Sequence, residues 1–163
     1  MSLKTLTVIE ETARKIAPGR TPYFLEAHLV KALLMIDAEG PMGRIRLSKI
    51  IGLGEGTVRT LTKHLENKGL ITISKEGITL TEAGKELTQN LKVFMGKEAK
   101  IPPTTLTVGP HNVAILVKNA SHAVKTGVEQ RDAAIKVGAL GATTLIFSRG
   151  KLRMPHADEE IFR

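Results

Sequence analysis

Apolar positions along the chain change period several times, and each period marks an element. Val58, Leu61 and Leu65 recur at i, i+3 and i+7 as one stripe of a helix, while Arg59, Thr60, Lys63 and Asn67 lie mainly on its other faces. One face of that helix is predicted to pack and another to stay free. Gly52, Gly54 and Gly56 crowd its start, where a tight helix–helix turn needs unusual backbone angles and close approach. Gly69 supplies a left-handed stop, with Lys63 and Lys68 near the negative end of the helix dipole. Upstream, Leu47, Ile50 and Ile51 show helical spacing in a short segment beginning near Gly43. A longer helical pattern, about 23 to 38, contains Phe24, Ala27, His28, Lys31, Ala32, Leu34 and Met35 and ends at Gly40-Pro41. Downstream, 70–74 and 78–80 are β-prone runs around Lys75-Glu76-Gly77, the form of a hairpin. Thr81 is placed to cap a last helix through about Phe94, with Leu87, Leu91 and Phe94 on one side.

The order over residues 20–94 is helix, helix, glycine turn, helix, hairpin and helix. Together with the strings GEGTVR at 54–59, GLI at 69–71 and LTEAG at 80–84, it resembles the winged helix-turn-helix domains of prokaryotic transcription regulators. The stretch GRIRLS at 43–48, leading into GLGEGTVRTL, is similar to a group of archaeal two-domain proteins whose C-terminal domain has no assigned function. The resemblance implies double-stranded DNA as the partner and a recognition helix that enters the major groove by its N-terminal half. Thr57, Arg59, Thr60 and Lys63 are the expected reading residues, since Arg pairs with guanine acceptors and Thr meets a thymine methyl or a phosphate. Arg44, Arg46 and Lys49 near the preceding helix, with Lys75 at the hairpin tip, are expected to hold phosphates and set register. Glu55 and Glu66 oppose this reading. The plain alternative is that these charges are solvated and the domain docks on protein or structured RNA.

Composition narrows the classes further. The chain has 163 residues, enough for two small units, and its 24 Lys and Arg against 16 Asp and Glu give a formal charge of +8, which favours polyanions. Without cysteine there are no disulfides, thiolate metal sites or cysteine nucleophiles. No apolar run approaches the roughly 20 residues that span a bilayer, so no membrane partner and a cytoplasmic location are expected. Aromatic content of 3% argues against a stacking platform for single strands, whereas groove binding needs none.

Residues 4–16 carry Leu6, Ile9, Ala13 and Ile16 at helical intervals before the Pro18-Gly19 break, and are expected to pack on the winged helix or at a dimer seam. The predicted organisation is a DNA-binding domain at 1–95, a linker at 96–104 containing Pro102-Pro103, and a small α+β domain at 105–163 for dimerisation or ligand sensing. In that last stretch 106–108 and 113–117 are β-rich, and 143–147 and 152–154 flank Ser148-Arg149-Gly150-Lys151 as a hairpin. Thr126 and Glu129 have capping-box spacing before a covering helix that ends at Gly138. Fifty-nine residues are marginal for independent stability, so this unit is expected to lean on the first domain or on a second copy.

The polar cluster Glu129-Gln130-Arg131-Asp132 at a helix start is the candidate site for a small anionic effector. The competing reading makes Arg131 and Asp132 an ion pair. His28, His64, His111, His122 and His156 show no metal-ligand spacing, and His156 with Asp158 and Glu159 is the one polar cluster among them; no metal and no cofactor are expected. Ser121-His122 lacks a third catalytic group, so no catalytic residue is assigned and the chain is not expected to be an enzyme. The overall expectation is an α+β, homodimeric, sequence-specific regulator of transcription. The alternatives are a winged-helix protein or RNA module, or an enzyme acting on a small anionic metabolite with an accessory winged helix.

Overall fold

The computed structural model describes residues 3–14 and 23–155, and packing divides the chain into Met1–Val93 and Phe94–Arg163. In the first unit, α1 (Leu3–Ala13) precedes α2 (Glu26–Glu39), α3 (Arg44–Ile51) and α4 (Glu55–Asn67). A hairpin of β1 (Ile71–Ser74) and β2 (Gly77–Leu80) follows, then α5 (Glu82–Phe94). This is the predicted helix-turn-helix with its wing.

The core lies among α2, α3, α4 and the hairpin. The inward face of α2 is Leu29, Ala32, Leu33 and Ile36, at i, i+3, i+4 and i+7. Of the residues that marked the helical pattern in the sequence, Phe24, Ala27, His28, Lys31, Ala32, Leu34 and Met35, only Phe24 and Ala32 are buried. The run Leu33-Leu34-Met35-Ile36 is apolar on every side, so periodicity leaves its rotation open; packing against α1 and β2 sets it. The stripe Val58, Leu61 and Leu65 is fully buried, as expected.

Caps and turns follow local chemistry. Gly52 stops α3 in the left-handed region at φ 73° and its N–H donates to Ser48 O at 2.9 Å. Thr81 Oγ1 accepts the Gly84 N–H at 3.1 Å, capping α5, and donates to Gly69 O at 2.6 Å. The wing gains a single-residue bridge at Met42, which exchanges backbone bonds of 3.0 and 2.9 Å with Ile78.

The second unit has β3 (Ala99–Ile101) paired antiparallel with β4 (Asn112–Ala114), then α6 (Val128–Lys136) and a hairpin of β5 (Ile146–Ser148) and β6 (Lys151–Arg153). The β5–β6 turn is Arg149-Gly150, with φ of 52° and 78°, the two positive angles that a tight hairpin turn favours. Two expectations change here. The 96–104 stretch is no free linker, because β3 lies within it and pairs with β4; its Lys and Gly content resembles a loop, and only the distant partner makes it a strand. Residues 106–108 form no strand, because Thr104 and Thr107 turn the chain: Thr104 N–H donates to Thr107 Oγ1 at 2.8 Å and Thr107 Oγ1 to Thr104 O at 3.0 Å.

Candidate nucleic-acid interface

α4 presents Gly56, Arg59, Thr60 and Lys63 together on its outer side, at i, i+3, i+4 and i+7, all exposed. Thr57 is half-buried at the margin of that face, and Glu55 and Glu66 are exposed as well. Thr60 Oγ1 donates back to Gly56 O at 3.3 Å. The helix-turn-helix is held from behind by Leu47 and Ile51 of α3 and by Val58 and Leu61 of α4, all buried. The exposed face is thus carried on a pair of helices packed from behind.

The cations divide into those with partners and those without. Arg46 is drawn to Glu39 of α2 at 2.6 Å and Lys68 to Glu11 of α1 at 2.9 Å, while Lys92 pairs with Asp37 and Lys85 with Glu82. Arg44, Lys49, Arg59, Lys63 and Lys75 make no ion pair among the described residues and are exposed. Their charge is free to meet a polyanion. Of the expected phosphate contacts, Arg46 differs, since its guanidinium is already neutralised by a carboxylate. Lys75 stands in the two-residue wing turn beside exposed Glu76, whose N–H donates to Ser74 Oγ at 3.2 Å.

One residue that positions α4 was not anticipated. His64 is buried on the inner side of α4 and its Nδ1 lies 2.8 Å from Thr12 O; a carbonyl only accepts, so Nδ1–H is the donor. The Phe24 ring meets the imidazole edge to face at 5.1 Å. With the Lys68–Glu11 pair one helical turn on, this bond ties α1 to α4. Its spacing from Leu61 and Leu65 was the available signal, obscured because histidine reads as polar.

The effector candidates of the second unit, Glu129, Gln130, Arg131 and Asp132, lie together on α6. Arg131 Nη2 and Nε both donate to Asp132 Oδ1, at 3.0 and 3.1 Å, an exposed pair between chain neighbours. Hydrogen bonds from its own backbone N–H and from Thr126 hold the Glu129 carboxyl below its usual value, so a carboxylate already sits at this helix N-terminus. Thr126 bonds to the Glu129 side chain and to Val128 N–H, while Gly127, at φ 83°, takes the N-cap position. Gln130 Oε1 is enclosed without a hydrogen-bond partner among the described residues. No group of three or more His, Cys, Asp or Glu gathers to hold a metal among the described residues, and His156, Asp158 and Glu159 lie outside them. No described helix is long and apolar enough to cross a membrane.

Comparison with known proteins matches the two units separately. Residues 30–95 match the family described as CggR N-terminal DNA binding domain, and residues 108–163 match a domain of unknown function, DUF4443. Among solved structures, a hypothetical protein from Pyrococcus horikoshii OT3 is similar, with a TM-score of 0.63 and 28% sequence identity; the match covers 82% of this chain and 67% of that one. No curated protein matches the sequence. The chain therefore joins an N-terminal DNA-binding domain to a small C-terminal domain of unassigned function.

Proposed function

We propose that the protein is a sequence-specific double-stranded DNA-binding regulator of transcription that acts as a homodimer and not as an enzyme. The observation that carries this reading is the outer face of α4, where Arg59 and Lys63 stand one turn apart and, like exposed Arg44 and Lys49 of α3 and Lys75 of the wing turn, make no ion pair among the described residues. Arg59 and Thr57 are the base-reading residues and Thr60 and Lys63 hold the flanking backbone. Arg44, Lys49 and Lys75 fix register on phosphates, and a dimer sets two such helices about 34 Å apart on a dyad site.

Selection of bound fragments from a genomic duplex library, then anisotropy on the winners across a salt series, tests it. Arg59→Ala should cost about 1–3 kcal/mol on the selected site and relax specificity, and Lys63→Ala should weaken all duplexes alike and lower the salt slope by about 1. Sequence-blind binding that vanishes near physiological salt, unchanged by Arg59→Ala, would overturn the reading. The N-terminal match to a DNA-binding domain supports the choice of duplex DNA over a protein partner.

A further inference from the structure

Among its described residues, the C-terminal unit buries no side chain whole. All seventeen buried apolar side chains of the described residues lie between Ile9 and Leu91, and none of residues 94–155 is buried. Of the exposed large apolar side chains, eleven fall in this unit, Leu140 at 74% and Phe147 at 67% among them. Ordering a chain of this length has an entropic cost that only burial offsets, so the unit is complete only when something covers it.

Its strand edges are open as well. β3–β4 and β5–β6 are separate two-stranded sheets, so the outer edge of β4 has no strand partner among the described residues. The run 112–117, Asn-Val-Ala-Ile-Leu-Val, contains no charge, proline or glycine, the residues that usually guard an edge. Within it Val113, Ile115, Leu116 and Val117 are between 44% and 60% exposed.

We infer that a second copy of this chain covers the C-terminal unit, with the dimer seam along 112–117 and the apolar side chains beside it. This takes the dimer of the proposed function as its premise and assigns the surface. Two arguments select a second copy. A standard interface uses about 800 Å² per partner, about 65% of it apolar in homodimers, or roughly 500 Å². Burying a large apolar side chain removes on the order of 60–120 Å², so eleven that are about half exposed supply on the order of 300–700 Å². Secondly, an antiparallel strand paired with its own copy is two-fold symmetric and closes on itself. Because the run is uncharged, self-pairing brings no like charges face to face, even in a chain of net charge +8.

Sedimentation equilibrium of the full chain over a roughly hundredfold concentration range tests the seam by mass action. Val113→Lys and Ile115→Lys should weaken the dimer at least about tenfold, equivalent to about 1.4 kcal/mol. Leu6→Lys on α1 and Val93→Lys on α5, also exposed apolar positions, should leave it unchanged. If a lysine variant loses the thermal transition of the N-terminal unit, Ile115→Gln replaces it and should weaken the dimer in the same direction. A wild-type chain that stays monomeric while amides of 112–117 are protected from exchange places the cover within one chain and overturns the inference. So does a dimer weakened by Leu6→Lys or Val93→Lys but not by Val113→Lys. Failure to select a duplex, with the dimer still sensitive at Val113, defeats the DNA reading and leaves the seam standing.

Discussion

Gly84 occupies the first turn of α5, and replacing it by alanine sets two effects of opposite sign against each other. In a helix, Gly→Ala ordinarily stabilises by up to about 1 kcal/mol. Here an added Cβ falls 2.0 Å from the Leu70 carbonyl oxygen and 3.0 Å from its carbon, so backbone must move by more than about 1 Å to restore van der Waals contact. Both sides resist. Leu70 is buried, and its carbonyl accepts the Thr81 N–H at 3.1 Å, the bond that seats α5 after the wing. Overpacking costs about 1–3 kcal/mol, and loss of that hydrogen bond adds about 1 kcal/mol. Subtracting the propensity gain leaves a net destabilisation of about 2 kcal/mol, or about 8–16 °C in the melting temperature of a domain this size. Gly56→Ala is the matched control: it lies in α4 with nothing within 4 Å of the new Cβ, and should raise the melting temperature by a few degrees. Thermal unfolding followed by circular dichroism decides between them. Equal stabilisation by both substitutions would refute the close packing of α5 against the β1 approach.

Three further outcomes are expected. His64→Ala should cost about 2–4 kcal/mol, combining an orphaned Thr12 carbonyl with the lost Phe24 contact, and hydrogen exchange should show α1 loosening first; His64→Gln, which keeps a donor, should restore part of the loss. Burial pushes the His28 imidazole below its ordinary value, and its Nδ1 accepts the Leu25 N–H at 3.0 Å, which requires the neutral ring. The unfolded state then binds the proton more readily, so this contribution is complete above about pH 6.5 and falls away as pH drops below it; His28→Asn should flatten denaturant midpoints across that window. Finally, Arg44→Ala should lower the salt slope of duplex binding by about 1, whereas Arg46→Ala should lower it less, because Arg46 is already paired with Glu39; equal slopes would show that Arg46 leaves Glu39 for phosphate.

Local rules were enough for the elements of the first unit. The stripe Val58, Leu61 and Leu65, the left-handed stop at Gly69 and the Thr81 cap depend on residues a few positions apart, and each stands as the sequence predicts; of the turn glycines expected to take unusual angles and close approach, Gly52 alone has a positive φ and none has a neighbour close to its Cβ position. The rotation of α2 and the burial of His64 depended on what lay opposite, and in the apolar run 33–36 only packing chooses the inward side. The bridge from Met42 to the wing and the conversion of the expected linker into β3 were hidden for the same reason, since a paired segment's partner sits far along the chain. For the interface, helical spacing already grouped Arg59, Thr60 and Lys63, because a helix fixes which neighbours share a face. Which cations remain free was decided by tertiary structure: Glu39 and Glu11 come from other helices to neutralise Arg46 and Lys68, a pairing that depends on distances through space that no local pattern encodes.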